Sequence, residues 1–194
     1  MMWGGSDAKP LAMQGTQKEE DLQKQEEIPL FMDPILAWRC WHVEYDERRG
    51  ILLRSITHTI RWPKRKPARA HCMAMYKDNM ASPKHNHDAP DMTHGCGFYA
   101  VDTPQDCVAW TKSSYRTLRA IGRVKLWGQV FDFTKGYLAE YAYPLEMWLP
   151  TTWQGIPPDK LTSFEDRSAP EIAFMLADAY GIQVHDAAEL EIEL

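Results

Sequence analysis

The segment from Cys72 to Cys96 constrains the fold more than any other part of the sequence. It holds two of the chain's four cysteines and three of its seven histidines, and it contains few apolar side chains. A segment of about twenty-five residues with this composition cannot easily order itself by burying apolar surface. We therefore predict that a bound metal ion orders it.

The donor atoms in this segment are those of a structural zinc site. We predict that Cys72, His87, His94 and Cys96 bind one Zn²⁺ ion. A Cys2His2 set is closed, because four protein ligands leave no coordination position for water or substrate. In His94-Gly95-Cys96-Gly97 the donors are two residues apart, and the glycines permit the tight backbone path that chelation requires.

Two alternatives remain open at the level of sequence. The spacing differs from that of a classical zinc finger, so His85 and His87 are alternatively solvated loop residues and the cysteines core residues. The same ligands also suit iron, and the sequence does not choose between the two metals.

Length and composition indicate one globular domain. The chain has 194 residues, of which 44% are hydrophobic and 25% charged. The polar composition of residues 1–30 predicts a disordered or loosely helical tail. Residues 31–194 are predicted to form a single domain. We find neither a signal peptide nor an apolar run of membrane-spanning length, and therefore expect a cytoplasmic protein without membrane contact, whose cysteines are thiols. The oligomeric state is not indicated.

The alternation of residues predicts an α+β fold with a small antiparallel sheet of hairpins, the zinc segment and two or three short helices. Residues 36–60 suggest one hairpin and residues 121–143 a second, which Pro144 is expected to end. Thr103 and Ser168 precede prolines and are candidate helix caps. The first helix is expected to end near Ser113 and the second at Gly181.

A basic, proline-containing loop offers an alternative function. It presents cationic side chains beside one tryptophan, a combination that suits phosphate contacts and base stacking in nucleic acid. The residues are Arg61, Trp62, Lys64, Arg65, Lys66 and Arg69. The simpler interpretation is a solvated connector, and the net charge of −5 gives no overall attraction to nucleic acid.

Aromatic residues on the second hairpin form a candidate interface with a protein partner. The four residues are Trp127, Tyr137, Tyr141 and Tyr143. A core built from large aromatic side chains is the commoner explanation of such a run.

Catalytic constellations are weak in this sequence. His42 with Glu44, and His58 between two threonines, are candidate acid/base groups, but single histidines on strands are usually structural. Cys107 has no histidine close to it in sequence and suits a buried thiol. We therefore expect a non-enzymatic protein, with an enzyme of unrecognised site as a further alternative.

Four stretches carry a resemblance that covers roughly residues 36–148. They are His87-Asp88-Ala89-Pro90, His94-x-Cys96-Gly97-Phe98-Tyr99-Ala100, Gly122-Arg123-Val124-x-Leu126-Trp127-Gly128 and Gly136-Tyr137-x-Ala139-Glu140-Tyr141-Ala142-Tyr143-Pro144. They resemble an uncharacterised family of actinobacteria and their phages, which carries an upstream Cys, a His-x-Ala-Pro element, a Cys-x-Cys-Gly-(Ile/Phe)-Tyr-Ala element and a Gly-Arg-Val-x-Leu-Trp-Gly strand. His94 replaces the first Cys of Cys-x-Cys, which exchanges one zinc ligand for another.

The resemblance implies a fold unit and a phage or actinobacterial setting, without an assigned reaction. Taken together, the sequence predicts a zinc-stabilised binding or accessory module with a protein partner. Nucleic-acid binding through residues 61–69 is the alternative.

Overall fold

The computed structural model describes residues 33–56, 60–72, 87–92, 95–111, 118–150, 164 and 167–190. The predicted N-terminal tail lies outside these residues. The strands are β1 (Ile35–Asp46), β2 (Gly50–Ser55), β3 (Ala68–Arg69), β4 (Phe98–Val101), β5 (Arg119–Phe133), β6 (Gly136–Leu149) and β7 (Gln183–Asp186). The helices are α1 (Pro104–Thr111) and α2 (Ala169–Tyr180), and a 3-10 helix spans Ala187–Leu190.

Strands β1 and β2 form the first predicted hairpin. Asp46 lies opposite Gly50, and its Oδ1 atom accepts hydrogen bonds from the backbone N–H groups of Arg48 and Arg49 at 2.9 and 3.0 Å. An aspartate at the start of a turn stabilises it through such local bonds. The polar turn is confirmed, although β2 ends at Ser55 rather than near residue 60.

Strands β5 and β6 form the second hairpin, which is longer than predicted. Pro144 was expected to end β6, and this expectation is wrong, since the strand continues to Leu149. Arg123 pairs with Glu146 and Val124 with Pro144, so the register shifts beside the proline. On its other edge β6 pairs with β3 up to Ala142 and with β7 from Glu146 onward. Pro144 lies between these two ladders, where its missing N–H is tolerated.

The seven strands form one sheet that closes on itself. Strand β1 pairs with β5, β5 with β6, β6 with β4, and β4 with β1, which makes a closed circuit of four strands. Strands β2, β3 and β7 extend this circuit. The sheet was predicted to be antiparallel, but β7 pairs with β6 in parallel, so the sheet is mixed. The coarse α+β class agrees with the prediction.

Both helices begin at the predicted caps. The Thr103 Oγ1 atom accepts a hydrogen bond from the N–H of Asp106 at 3.3 Å, and Ser168 and Glu171 form a reciprocal capping box. Helix α2 ends before Gly181, as predicted. Because β7 follows this helix, it does not close the domain as the sequence suggested.

The sheet separates two apolar clusters. The larger one packs the ring of Trp41 and other sheet residues against Leu176 and Tyr180 of α2. The smaller one joins Cys40 and Ile121 to Cys107 of α1. Among the described residues, no helix has both the length and the apolar character needed to span a membrane.

Candidate metal centre

Three of the four predicted ligands lie together. Donor atoms of Cys72, His87 and Cys96 are all within 4.8 Å of one another. The Nε2 atom of His87 is 3.3 Å from the Sγ atom of Cys96. Nitrogen and sulfur ligands of one tetrahedral zinc ion are separated by roughly 3.5 Å, so this arrangement suits a metal ion. Cys72, His87 and Cys96 thus form a cluster that is able to hold a metal ion.

The strand topology explains why the two cysteines meet. Strands β3 and β4 pair with the same edge of β6, where Arg69 lies opposite Tyr141 and Phe98 opposite Ala139. After β3, the backbone N–H of Ala70 still donates to the carbonyl of Glu140 at 2.7 Å. No room remains on this edge between the end of β3 and the start of β4, so the chain must leave it and return. Cys72 and Cys96 each lie two residues from that junction.

The backbone around Cys96 is shaped by close contacts. The N–H of Asp91 donates to the carbonyl of Cys96 at 3.1 Å, which folds the segment after His87 back on itself. Gly97 has a φ of 143°, and a Cβ atom at this position would lie 2.6 Å from the Cδ1 atom of Leu138. Only glycine fits both the dihedral angle and the space. The predicted role of the glycines in a tight path is therefore supported at Gly97.

The environment of the cluster is partly buried and contains a carboxylate that the sequence did not single out. Cys72 is buried, and the Oδ2 atom of Asp91 lies 4.0 Å from the Nε2 atom of His87. Burial raises the pKa of the Cys96 thiol and the nearby Cys72 raises it further, whereas the backbone N–H of Asp91 lowers it. A cation is the natural partner for two sulfurs and a carboxylate in one place. The four-residue spacing between His87 and Asp91 is the sequence signal from which Asp91 could have been identified as a neighbour of His87.

His94, the fourth predicted ligand, lies outside the described residues, as does His85. Its role as a ligand therefore stays a prediction.

The basic loop is largely engaged within the protein. Trp62 is only 2% exposed, and its Nε1 atom donates to the Oγ atom of Ser55 at 3.1 Å. Its ring packs against Trp41 and Phe98 with centroid distances of 5.3 and 5.0 Å. The ring of Trp62 is thus a core side chain and is not presented for stacking on a base.

The cations of the loop have partners on several elements. Arg65 contacts the Asp178 carboxylate at 3.2 Å, Lys64 donates to the carbonyl of Arg49 at 2.6 Å, and Arg69 contacts Glu140 at 3.3 Å. The backbone of Arg61 forms an isolated β-bridge with the backbone of Arg54, and both Arg61 and Lys66 are exposed. Three of the five cations of the loop therefore contact residues on other parts of the protein.

The four aromatic residues of the candidate interface are all half-buried, and two of them form a stacked pair. The rings of Trp127 and Tyr141 are 5.8 Å apart with an interplanar angle of 12°. The guanidinium of Arg69 lies 5.8 Å from the centre of the Tyr141 ring. We call Arg69, Tyr141 and Trp127 the stacked surface.

The other two aromatic residues have local roles. The Tyr143 hydroxyl donates to the carbonyl of Tyr180 at 2.5 Å, which links β6 to the end of α2. Burial raises the pKa of Tyr137, and the neighbouring Asp102 adds to the effect.

The weak catalytic candidates lie in different surroundings. His42 is 3% exposed, and burial lowers its pKa to about 4, assisted by the positive charges of Arg54 and Arg119. His58 lies outside the described residues. Cys107 contacts Cys40, a pairing that sequence reasoning missed because the two residues are 67 positions apart.

No family model, curated protein or solved structure matches this chain.

Proposed function

We propose that this protein is a non-enzymatic binding module, stabilised by one structural zinc ion and using its sheet surface to contact a protein partner. The ion is bound by Cys72, His87, Cys96 and, from the sequence, His94. The observation that carries this proposal is the convergence of three donors from positions 72, 87 and 96 within 4.8 Å. Such a ligand set is typical of closed structural sites.

We infer a structural task for the proposed zinc ion. It joins the chain leaving β3 to the chain entering β4, and both strands pair with β6. Strand β4 completes the closed circuit by pairing with β1 through Trp38 and Val101. Metal binding therefore supports closure of the sheet, and chemistry at the ion is not required for this role.

The stacked surface is where the partner is proposed to bind. Trp127 and Tyr141 present two parallel rings, and Arg69 adds a charged group that is half exposed. Aromatic residues and arginine are the side chains that most often dominate protein interfaces. The resemblance to an actinobacterial and phage family favours a partner from the host or from the same phage.

Metal content is the first test of this proposal. Protein purified without chelators or affinity metal should contain one equivalent of zinc by elemental analysis. Well under one equivalent of any metal would overturn the zinc assignment. One equivalent of iron would show that the same ligands bind iron rather than zinc.

Partner capture is the second test. Tagged protein should retain a stoichiometric protein partner from a native lysate after nuclease treatment. The double variant Trp127→Ala/Tyr141→Ala should lose it, whereas Phe174→Ala should keep it, since Phe174 is 74% exposed on α2 and lies outside the stacked surface. Loss of all partners after nuclease treatment would favour nucleic-acid binding through residues 61–69 instead.

A further inference from the structure

A second pair of cysteines lies outside the metal cluster. The Sγ atom of Cys40 in β1 is 3.8 Å from the carbonyl oxygen of Cys107 in α1. The interaction between the two side chains lowers the pKa of the Cys40 thiol and raises the pKa of the Cys107 thiol. Both residues are completely buried, and both are free thiols. The pair therefore places the sulfur of Cys40 on the sheet against Cys107 on a helix, within one buried cluster.

The surroundings favour negative charge on Cys40 rather than on Cys107. Arg39 precedes Cys40 in β1, and Arg119 lies opposite His42 in the neighbouring strand β5. The positive charges of both arginines lower the pKa of the Cys40 thiol. Cys40 is thus the thiol that is more easily deprotonated.

The position of the pair allows local opening without global unfolding. Cys40 and Cys107 belong to a small cluster with Val101 and Ile121, separate from the main core. Helix α1 has only eight residues, so only a short element has to detach from the sheet. Such an element opens at a lower free energy than the main core.

We propose that Cys40 and Cys107 form a reversible disulfide when the protein meets a small peroxide, so that this pair is a redox modification site. The Cys40 thiolate attacks one peroxide oxygen and takes up a hydroxyl group, which gives a sulfenic acid and releases water after protonation. The Cys107 thiol then attacks the Cys40 sulfur, and the sulfenic hydroxyl leaves as a second water. Both sulfurs are oxidised, and one peroxide is reduced to two waters. The resulting bond fixes α1 to β1.

Peptide mapping of the wild-type protein tests this directly. Metal-loaded protein treated with graded hydrogen peroxide should lose two free thiols and yield a cross-linked peptide containing Cys40 and Cys107. The cross-link should appear before metal is released to a colorimetric chelator, and dithiothreitol should reverse it. Because Cys72 and Cys96 are in another part of the fold, mapping distinguishes the two pairs whether or not the metal proposal holds.

A thermal measurement adds a functional readout. The disulfide closes a long loop, so oxidation should raise the melting temperature by about 5 °C or more. The variants Cys40→Ala and Cys107→Ala should each abolish this rise, with folding checked by circular dichroism. Overoxidation of Cys40 without a cross-link, or a cross-link only between Cys72 and Cys96, would overturn the proposal. So would intact Cys40 and Cys107 thiols up to the peroxide concentration that unfolds the protein.

Discussion

The Nε2 atom of His87 lies 3.3 Å from the Sγ atom of Cys96, although the two residues are nine positions apart along the chain. The chain between them folds back, and Asp91 forms an antiparallel β-bridge with Cys96. Contacts of this kind between an imidazole and a thiol, with a second thiol within 4.8 Å, bring three metal donors to one point. The stability of this region is therefore expected to depend on metal.

Replacing His87 with Ala should lower metal affinity more than about a hundredfold, because a lost ligand costs more than a lost outer partner. His71→Ala is the matched control, since His71 precedes Cys72, is exposed and is not among the clustered donors. Competition with a zinc chelator measures both affinities. Equal affinities of the two variants would contradict the assignment of His87.

Replacing Tyr180 with Phe should destabilise the fold by about 2 kcal/mol. The Tyr180 hydroxyl accepts from the N–H of Leu53 at 2.8 Å and donates to the carbonyl of Trp62 at 3.2 Å, and the residue is fully buried. Removing the hydroxyl leaves two buried backbone groups unpaired between α2, β2 and the loop that follows it. Urea denaturation at fixed metal concentration measures the change.

The half-buried Tyr141 provides the comparison for Tyr180. Tyr141→Phe keeps the ring, and it is expected to change the free energy of unfolding by less than about 0.5 kcal/mol. A loss at Tyr180 no larger than that at Tyr141 would refute the bridging role.

Stability should fall between pH 6.5 and pH 4 because of His42. Burial lowers its pKa in the folded protein to about 4, whereas an unfolded histidine titrates near 6.5. In this window the unfolded chain binds the additional proton, so acidification favours unfolding, by at most about 3 kcal/mol. Above pH 6.5 the contribution is fully present.

Denaturation curves at pH 7 and pH 5 test this expectation, with the exposed His71→Gln as control. His42→Gln should reduce the loss between the two pH values, whereas His71→Gln should retain it. Any loss of metal at low pH affects both variants, so the difference between them isolates His42. An unchanged pH dependence in His42→Gln would contradict the prediction.

Local signals in the sequence predicted the local parts of the fold. The turn at Asp46, the cap at Ser168 and the helix end at Gly181 each depend on residues a few positions apart, and all three are present. The clustering of Cys72, His87 and Cys96 also followed from residue type, because few other roles explain so many donors in one segment.

Long-range contacts were not predictable in the same way. Pro144 normally ends a strand, and only the gap between the β3 and β7 ladders makes it acceptable within β6. Strand β7 has four residues, and its parallel pairing with β6 depends on the position at which α2 ends. The contact of Cys40 with Cys107 likewise follows from the packing of α1 on the sheet.

The burial of Arg39 was also not predicted from the sequence, because a charged residue within a strand is normally expected to face solvent. It is 5% exposed, and its pKa is lowered to about 10 by burial, so it remains charged at neutral pH. Its guanidinium donates to the carbonyl of Tyr99 and, at 3.2 Å, to the Oγ atom of Ser55. It also lies 5.3 Å from the ring centre of Trp62.

Replacing Arg39 with Lys should therefore cost about 2 kcal/mol, although the charge is retained. A single ammonium group cannot reproduce the two-directional donation and planar stacking of the guanidinium, so one buried acceptor loses its partner. Arg123→Lys is the matched control, because Arg123 is partly exposed and pairs with Glu146 at 3.0 Å, and it should change stability by less than about 1 kcal/mol. Urea denaturation compares the two variants at equal metal content. Equal stability of both would show that positive charge alone, rather than the shape of the guanidinium, is what the core requires at position 39.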